Sequence, residues 1–228
     1  MSALTEGHLE VVRSARYALL GEPGPEVREL WIVLHGYRQL AARFLRRFRS
    51  LARPWRLLAA PEALSRFYLE DGPGRHGPGS PVGATWMTRE DREAEIHDYV
   101  RYLDRFHDHV QGRLAAPVPV LTLGFSQGCH TLARWVARGG VRPRWVVLWG
   151  EVLPADLEAS PVGPGLRDAR LVSVQGQEDA LIPPAILSRQ RHLAGRLGLE
   201  LDERNHPSGH TLDAWVLAGL AREFSGRD

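Results

Sequence analysis

Short, continuously apolar runs that alternate with helical stretches constrain this chain more than any other feature. Leu30–Leu34, Trp55–Pro61, the run from Val118 to Gly124, Arg144–Gly150 and Arg170–Gly176 are each five to eight residues long. The first four are apolar at nearly every position rather than at every second one, and Arg170–Gly176 is more mixed. A strand of that kind is buried on both faces, which is the condition of a parallel sheet with helices above and below it. Helical spacing fills the intervals. Leu40, Phe44, Leu45, Phe48 and Leu51 predict a helix from about Leu40 to Ala52. Ile96, Tyr99, Val100, Leu103, Phe106 and Val110 predict another from Thr88 to about Gly112, with Thr88 and Asp91 placed as an N-terminal cap. Further helices are expected from Gln127 to Arg138, from Pro183-Pro184 to about Leu197, and from Thr211 to about Phe224. The expected fold class is therefore α/β, with a mostly parallel central sheet and helices on both faces.

Less regular segments complete the chain. Residues 8–20 read as an antiparallel ribbon closed by Gly21-Glu22-Pro23-Gly24-Pro25, and Gly198 to Arg204 as a final strand. Between Glu62 and Met87 lies a long irregular stretch with Gly72-Pro73-Gly74 and Gly77-Pro78-Gly79. Loops of that length in compact domains usually serve a function, and Phe67, Tyr68 and Trp86 make this one a candidate substrate wall. Pro154, Pro161, Gly163, Pro164 and Gly165 punctuate a second connection. With no repeat and no linker, a single domain over residues 1–228 is expected.

Composition narrows the function. Of 228 residues 43% are hydrophobic and 25% charged, and the net charge is only +2, so nothing calls for nucleic acid. All 29 basic side chains are arginine, and Arg43, Arg46, Arg47, Arg49 and Arg53 crowd one helix. A basic helix can face an anionic surface, but the simpler reading is a solvated outer face. No run approaches the ~20 apolar residues of a membrane span, and the first twenty residues lack the apolar core of a signal peptide. One cysteine, Cys129, excludes an internal disulfide and fits a reducing compartment. A cytoplasmic protein without stable membrane insertion is expected, and a homodimer is compatible with the sequence.

Reactive residues gather where such a sheet would put them, just beyond the carboxyl ends of strands. The run from Val118 ends in Gly124-Phe125-Ser126-Gln127-Gly128 and passes straight into a helix. A serine on that strand-to-helix turn has its hydroxyl lifted clear of the sheet. A glycine-bracketed serine in an ordinary loop would look the same locally, so the rest of the chain must decide. His35-Gly36-Tyr37, Asp179 and His210 also follow expected strands. A serine nucleophile needs a base, and the base needs a carboxylate to hold its tautomer; Ser126, Asp179 and His210 occur in the chain order of an α/β-hydrolase triad. His206 competes with His210 as base. Glu178 and Asp202 are weaker candidates for the acid, and Asp168 precedes its strand and so falls at the wrong end. The backbone N–H groups of Tyr37 and Gln127 are the candidate oxyanion hole, while His35 reads as a histidine that orders its loop. His97, His107 and His109 fall on one helix but share no face that would bind a metal.

Gly-Phe-Ser-Gln-Gly, His35-Gly36, Gly176-x-x-Asp179 and Gly209-His210 together resemble the phospholipase/carboxylesterase family of α/β-hydrolases, which includes small carboxylesterases and acyl-protein thioesterases. The resemblance runs from the Trp31 strand to the last helix. It implies the α/β-hydrolase fold, Ser126 as nucleophile, Asp179 as acid, His210 as base, no cofactor and no metal, and a small-molecule ester as substrate. It also implies that the Ala84-Thr85-Trp86 loop lies beside an acyl pocket. The family usually has two glycines after Ser-Gln and Leu-Gly-Asp after His-Gly, where this chain has Gly128-Cys129 and Tyr37-Arg38-Gln39. His35, Gly36, Tyr68, Trp86, Met87 and Leu181 are the candidate substrate-binding residues, and their bulk points to short or medium acyl groups.

Overall fold

A computed structural model describes residues 3–69, 75–159 and 162–226. Gly72-Pro73-Gly74 and Pro161 lie outside them. Seven strands form one sheet in the order β1-β3-β2-β6-β7-β8-β9. They are β1 (Tyr17–Leu20), β2 (Glu29–Leu34), β3 (Arg56–Pro61), β6 (Val120–Phe125), β7 (Trp145–Trp149), β8 (Arg170–Gly176) and β9 (Leu201–His206). All neighbours are parallel except β1, which runs antiparallel to β3 at one edge. In the central strands consecutive side chains feed two separate cores. Leu30, Ile32, Leu34, Val146 and Leu148 pack under helices α2 (Arg92–Gln111), α3 (Gln127–Arg138) and α5 (Pro184–Arg196). Trp31, Val33, Trp145, Val147 and Trp149 face helices α1 (Ala41–Leu45) and α6 (Ala214–Ser225) on the other side. That is why these strands carry no polar face.

Several boundaries differ from expectation, each for a local reason. Only Tyr17–Leu20 of the expected ribbon is a strand; the preceding arm instead lies against α2, where His8 and Glu10 meet Asp91 and Arg101. The arginine-rich helix ends as α after Leu45 and continues to Leu51 as a 3-10 helix. Leu45, Phe48 and Leu51 recur every three residues, so three residues per turn keeps all of them buried. Helix α2 starts at Arg92 because Asp91 takes a left-handed conformation, φ 49°. Thr88 then closes a turn by accepting from the Glu90 N–H at 3.2 Å.

The long stretch after β3 is less irregular than its composition implies. It carries a hairpin of β4 (Ser65–Tyr68) and β5 (Val82–Thr85), paired antiparallel. A helical turn, α4 (Pro164–Arg167), occupies the second proline-rich connection. The last strand begins at Leu201 because Gly198 turns the chain at φ 67°, and it runs on to include His206. No helix among the described residues is long and apolar enough to cross a membrane.

Candidate active site

The nucleophile turn is made by close packing that two glycines permit. A Cβ at Gly124 would stand 2.5 Å from the Gly128 carbonyl oxygen, and one at Gly128 would stand 2.5 Å from that of Leu34. Any side chain at either position would push α3 off the sheet. Between them Ser126 adopts φ 53°, ψ −124°, outside the regions L-residues prefer, and its N–H is fixed to the Trp149 carbonyl at 2.9 Å. Cys129, where the resemblance expects glycine, fits because it is small and fully buried. Its thiol donates to the Gly124 carbonyl at 3.0 Å, and burial pushes its pKa up, so it is an inert packing residue.

The turn after β8 and the loop after β9 bring the other two residues to the same end of the sheet. His210 Nδ1 donates to Asp179 Oδ2 at 2.6 Å, and the Asp179 Oδ1 accepts from the Leu181 N–H at 3.0 Å. Asp179 is buried and His210 partly open. The Phe125 ring, one residue before the serine, lies 5.0 Å from the His210 ring. No hydrogen bond joins Ser126 Oγ to His210 among the described residues. His206 is elsewhere. It is the last residue of β9, 2% exposed, with neither ring nitrogen hydrogen-bonded among the described residues, and burial lowers its pKa. Asp202 pairs with Arg170 and Arg204, and Asp168 caps α4 before β8 begins.

The loop after β2 is moored from both sides. The Gly36 N–H donates to Gln39 Oε1 at 2.8 Å, and the Arg38 N–H to the Ala84 carbonyl at 3.0 Å. Gly36 lies against the nucleophile: a Cβ there would be 3.2 Å from that of Ser126. Among the described residues the Tyr37 N–H donates to nothing, and the Gln127 N–H belongs to a first helical turn, where no intrahelical acceptor exists. Both N–H groups are therefore free, one directly after Ser126 and one directly after Gly36, which packs on Ser126.

The proposed substrate residues divide into two groups. His35 is completely buried; its Nδ1–H donates to the Gly36 carbonyl at 2.8 Å and its Nε2 accepts from the Ala63 N–H at 3.1 Å. Burial holds its pKa below the usual imidazole range, so it is a neutral strut and not a second base. Trp86, 4% exposed, donates from Nε1 to the His35 carbonyl at 2.8 Å and is buried like His35. Tyr37, Tyr68 and Leu181 are exposed, with Tyr37 stacked on Phe67 and Tyr68 on His76. Met87 is partly open and its sulfur accepts from Arg134.

Three side chains to which the sequence assigned no role complete this end of the sheet. The Gln127 side chain accepts from the Trp86 N–H at 3.2 Å and donates to the Met87 carbonyl at 3.0 Å, tying the hairpin to the nucleophile turn. Glu62 is 1% exposed. It receives Arg16 and Arg66 and accepts from the Ala41 N–H at 3.2 Å. Glu151 stands just past β7, and the rule that located Asp179, a carboxylate beyond a strand end, could have found it. His97, His107 and His109 are dispersed along α2, and no group of three or more metal-binding side chains occurs among the described residues. Two surface depressions, about 660 Å³ between β9 and α6 and about 720 Å³ at the amino ends of β8 and β9, lie away from Ser126.

A parallel sheet with a serine on the turn after its central strand has the α/β-hydrolase fold, and solved structures agree. The fold is similar to that of the esterase PE8, with a TM-score of 0.68 and 19% identity over 94% of this chain and 99% of that one. It is similar to acyl-protein thioesterase 2 of Zea mays, TM-score 0.68 at 16% identity, over 93% and 99%. The Bacillus cereus carboxylesterase gives a TM-score of 0.66 at 12% identity, over 93% and 94%. No protein-family profile matches the sequence, and no curated protein matches it.

Proposed function

We propose that this protein is a serine hydrolase that cleaves carboxylic esters through an acyl-enzyme on Ser126. The observation that carries the reading is the Asp179–His210 hydrogen bond, 2.6 Å, at the same end of the sheet as a serine on a strained turn. Asp179 holds a proton on Nδ1, leaving Nε2 free to take the Ser126 proton as the oxygen attacks the ester carbonyl. The negative oxygen that forms is met by the N–H groups of Tyr37 and Gln127. Collapse of the tetrahedral intermediate expels the alcohol, which leaves with the proton from His210. Water, deprotonated by the same nitrogen, then releases the acid and restores Ser126. No step needs a metal or an organic cofactor. Cys129, a single unpaired thiol, supports a reducing, cytoplasmic setting.

Bulk at Tyr37, Tyr68 and Met87 supports short to medium acyl chains. A second reading, lysophospholipid or acyl-thioester cleavage, is favoured by the arginine-rich segment: Arg47 donates to Thr211 Oγ1 at 3.2 Å, which puts that basic face beside the His210 loop. Hydrolysis of p-nitrophenyl esters from about two to about twelve carbons tests both, with wild type beside Ser126→Ala. Serine-dependent turnover peaking at short chains is the expected result, and a peak at long chains selects the second reading. Folded protein with no serine-dependent turnover, and no fluorophosphonate labelling of Ser126, would leave a hydrolase fold that only binds its ligand.

A further inference from the structure

Glu151 is fixed in place by groups that do not use its charge. Gly150 before it takes φ 68° and donates to the Val174 carbonyl at 2.9 Å, and Gln175 Nε2 donates to the Glu151 carbonyl at 3.1 Å. This backbone lies against the base: a Cβ on Gly150 would stand 3.0 Å from His210 Cε1. Charge on His210 favours ionisation of this carboxylate and charge on Asp179 opposes it. Its side chain is 26% exposed.

Among the described residues that carboxylate accepts one hydrogen bond, from the Val152 N–H at 3.0 Å. An ionised carboxylate can accept about four. The base within ion-pair distance is His130 Nε2, at 3.8 Å, one helical turn beyond Gln127 on α3. Burial holds the His130 pKa down to about 4, so at neutral pH it supplies no positive charge. The next cation on that helix, Arg134, is bound to Asp156 at 2.8 Å, and Arg92 reaches the same carboxylate at 3.0 Å. Burial raises the Glu151 pKa, as it must for a carboxylate that has lost water and gained no cation.

We propose that Glu151, with His130 beside it, forms a subsite next to His210 for a cationic group, so that preferred esters carry an ammonium group near the scissile carbonyl. The inference rests on the hydrolase reading and specifies its substrate class. An ammonium seated there would supply the countercharge the carboxylate lacks, whereas a plain alkyl chain would leave that charge uncompensated.

Binding separates the two claims. Calorimetry on Ser126→Ala would compare phenyl ε-aminocaproate with its neutral isostere phenyl heptanoate, and choline butyrate with dimethylbutyl butyrate. In at least one pair the cationic ester should bind roughly tenfold more tightly, the scale of one charge-assisted contact. The pair that responds says whether the group sits on the acyl or the alcohol side. Adding Glu151→Gln should bring that ratio to about one. A merely structural role for Glu151 would weaken both members of a pair together. Ratios near one in both pairs, or a preference that survives Glu151→Gln, would overturn the subsite. Preference without turnover by the wild type would instead retain the subsite and remove the hydrolase reading.

Discussion

Ser126, Asp179 and His210 are each held by a contact with no part in the chemistry. The Trp149 carbonyl holds Ser126, the Leu181 N–H holds Asp179, and the Phe125 ring flanks His210. If Asp179 acts by fixing the imidazole tautomer, Asp179→Asn should lower kcat by on the order of 10⁴ while KM changes little. Steady-state kinetics on a short ester would show it, and a loss under tenfold would refute the role. His206→Ala should keep most activity and His210→Ala lose it, because only the latter ring meets Asp179. His206 and His210 are four residues apart and chemically identical in the sequence. What separates them is that β9 runs on to His206 and buries it, which depends on where Gly198 starts the strand.

At the scale of elements, two side-chain ties hold the layers in register. Gln127 joins the β4–β5 hairpin to the nucleophile turn. Gln127→Leu keeps the backbone N–H but strands the Trp86 N–H, while the Met87 carbonyl keeps its bond from the Thr85 hydroxyl, at a cost of ~1–3 kcal/mol. Hydrogen exchange at the Trp86 amide should accelerate well beyond that of the β6 amides; uniform exchange across both would show that the tie is not local. The second tie is a buried ion pair, Arg56 with Glu29, about 5% exposed, to which Ser225 donates at 2.7 Å from α6. Glu29→Ala alone should destabilise by ~3–5 kcal/mol, since it leaves a buried guanidinium uncompensated. Replacing both by apolar residues should cost far less, as urea unfolding would read. Most central strands and the helices between them were legible in the chain, because burial on two faces writes itself as nearly unbroken apolar runs; the order of the strands in the sheet was not. The hairpin inside residues 62–87 was not, since Ser65–Tyr68 and Val82–Thr85 are too short and too polar to announce a strand without each other.

For the molecule as a whole, acid should act through its histidines. His35, His130 and His206 all have folded pKa values lowered by burial from an unfolded value of 6.5. Below 6.5 the unfolded chain therefore binds more protons than the folded one, so stability is full above that pH and declines as pH falls, for His130 down to about 4. Unfolding free energy from urea titrations at pH 7 and pH 5 should show this loss, and His130→Gln should shrink it; an unchanged difference would exclude His130 as a contributor. By itself the sequence determined the layered α/β architecture, the serine turn and the strand ends at which reactive groups would collect, because periodicity and glycine placement are local and survive in one dimension. Tertiary structure alone decided which histidine meets Asp179, that His35 and Trp86 are buried and braced against each other, and that Glu151 stands 3.8 Å from His130. Those are facts of burial and of distance between elements far apart in the chain, and a side chain carries no mark of its neighbours until the sheet has brought them together.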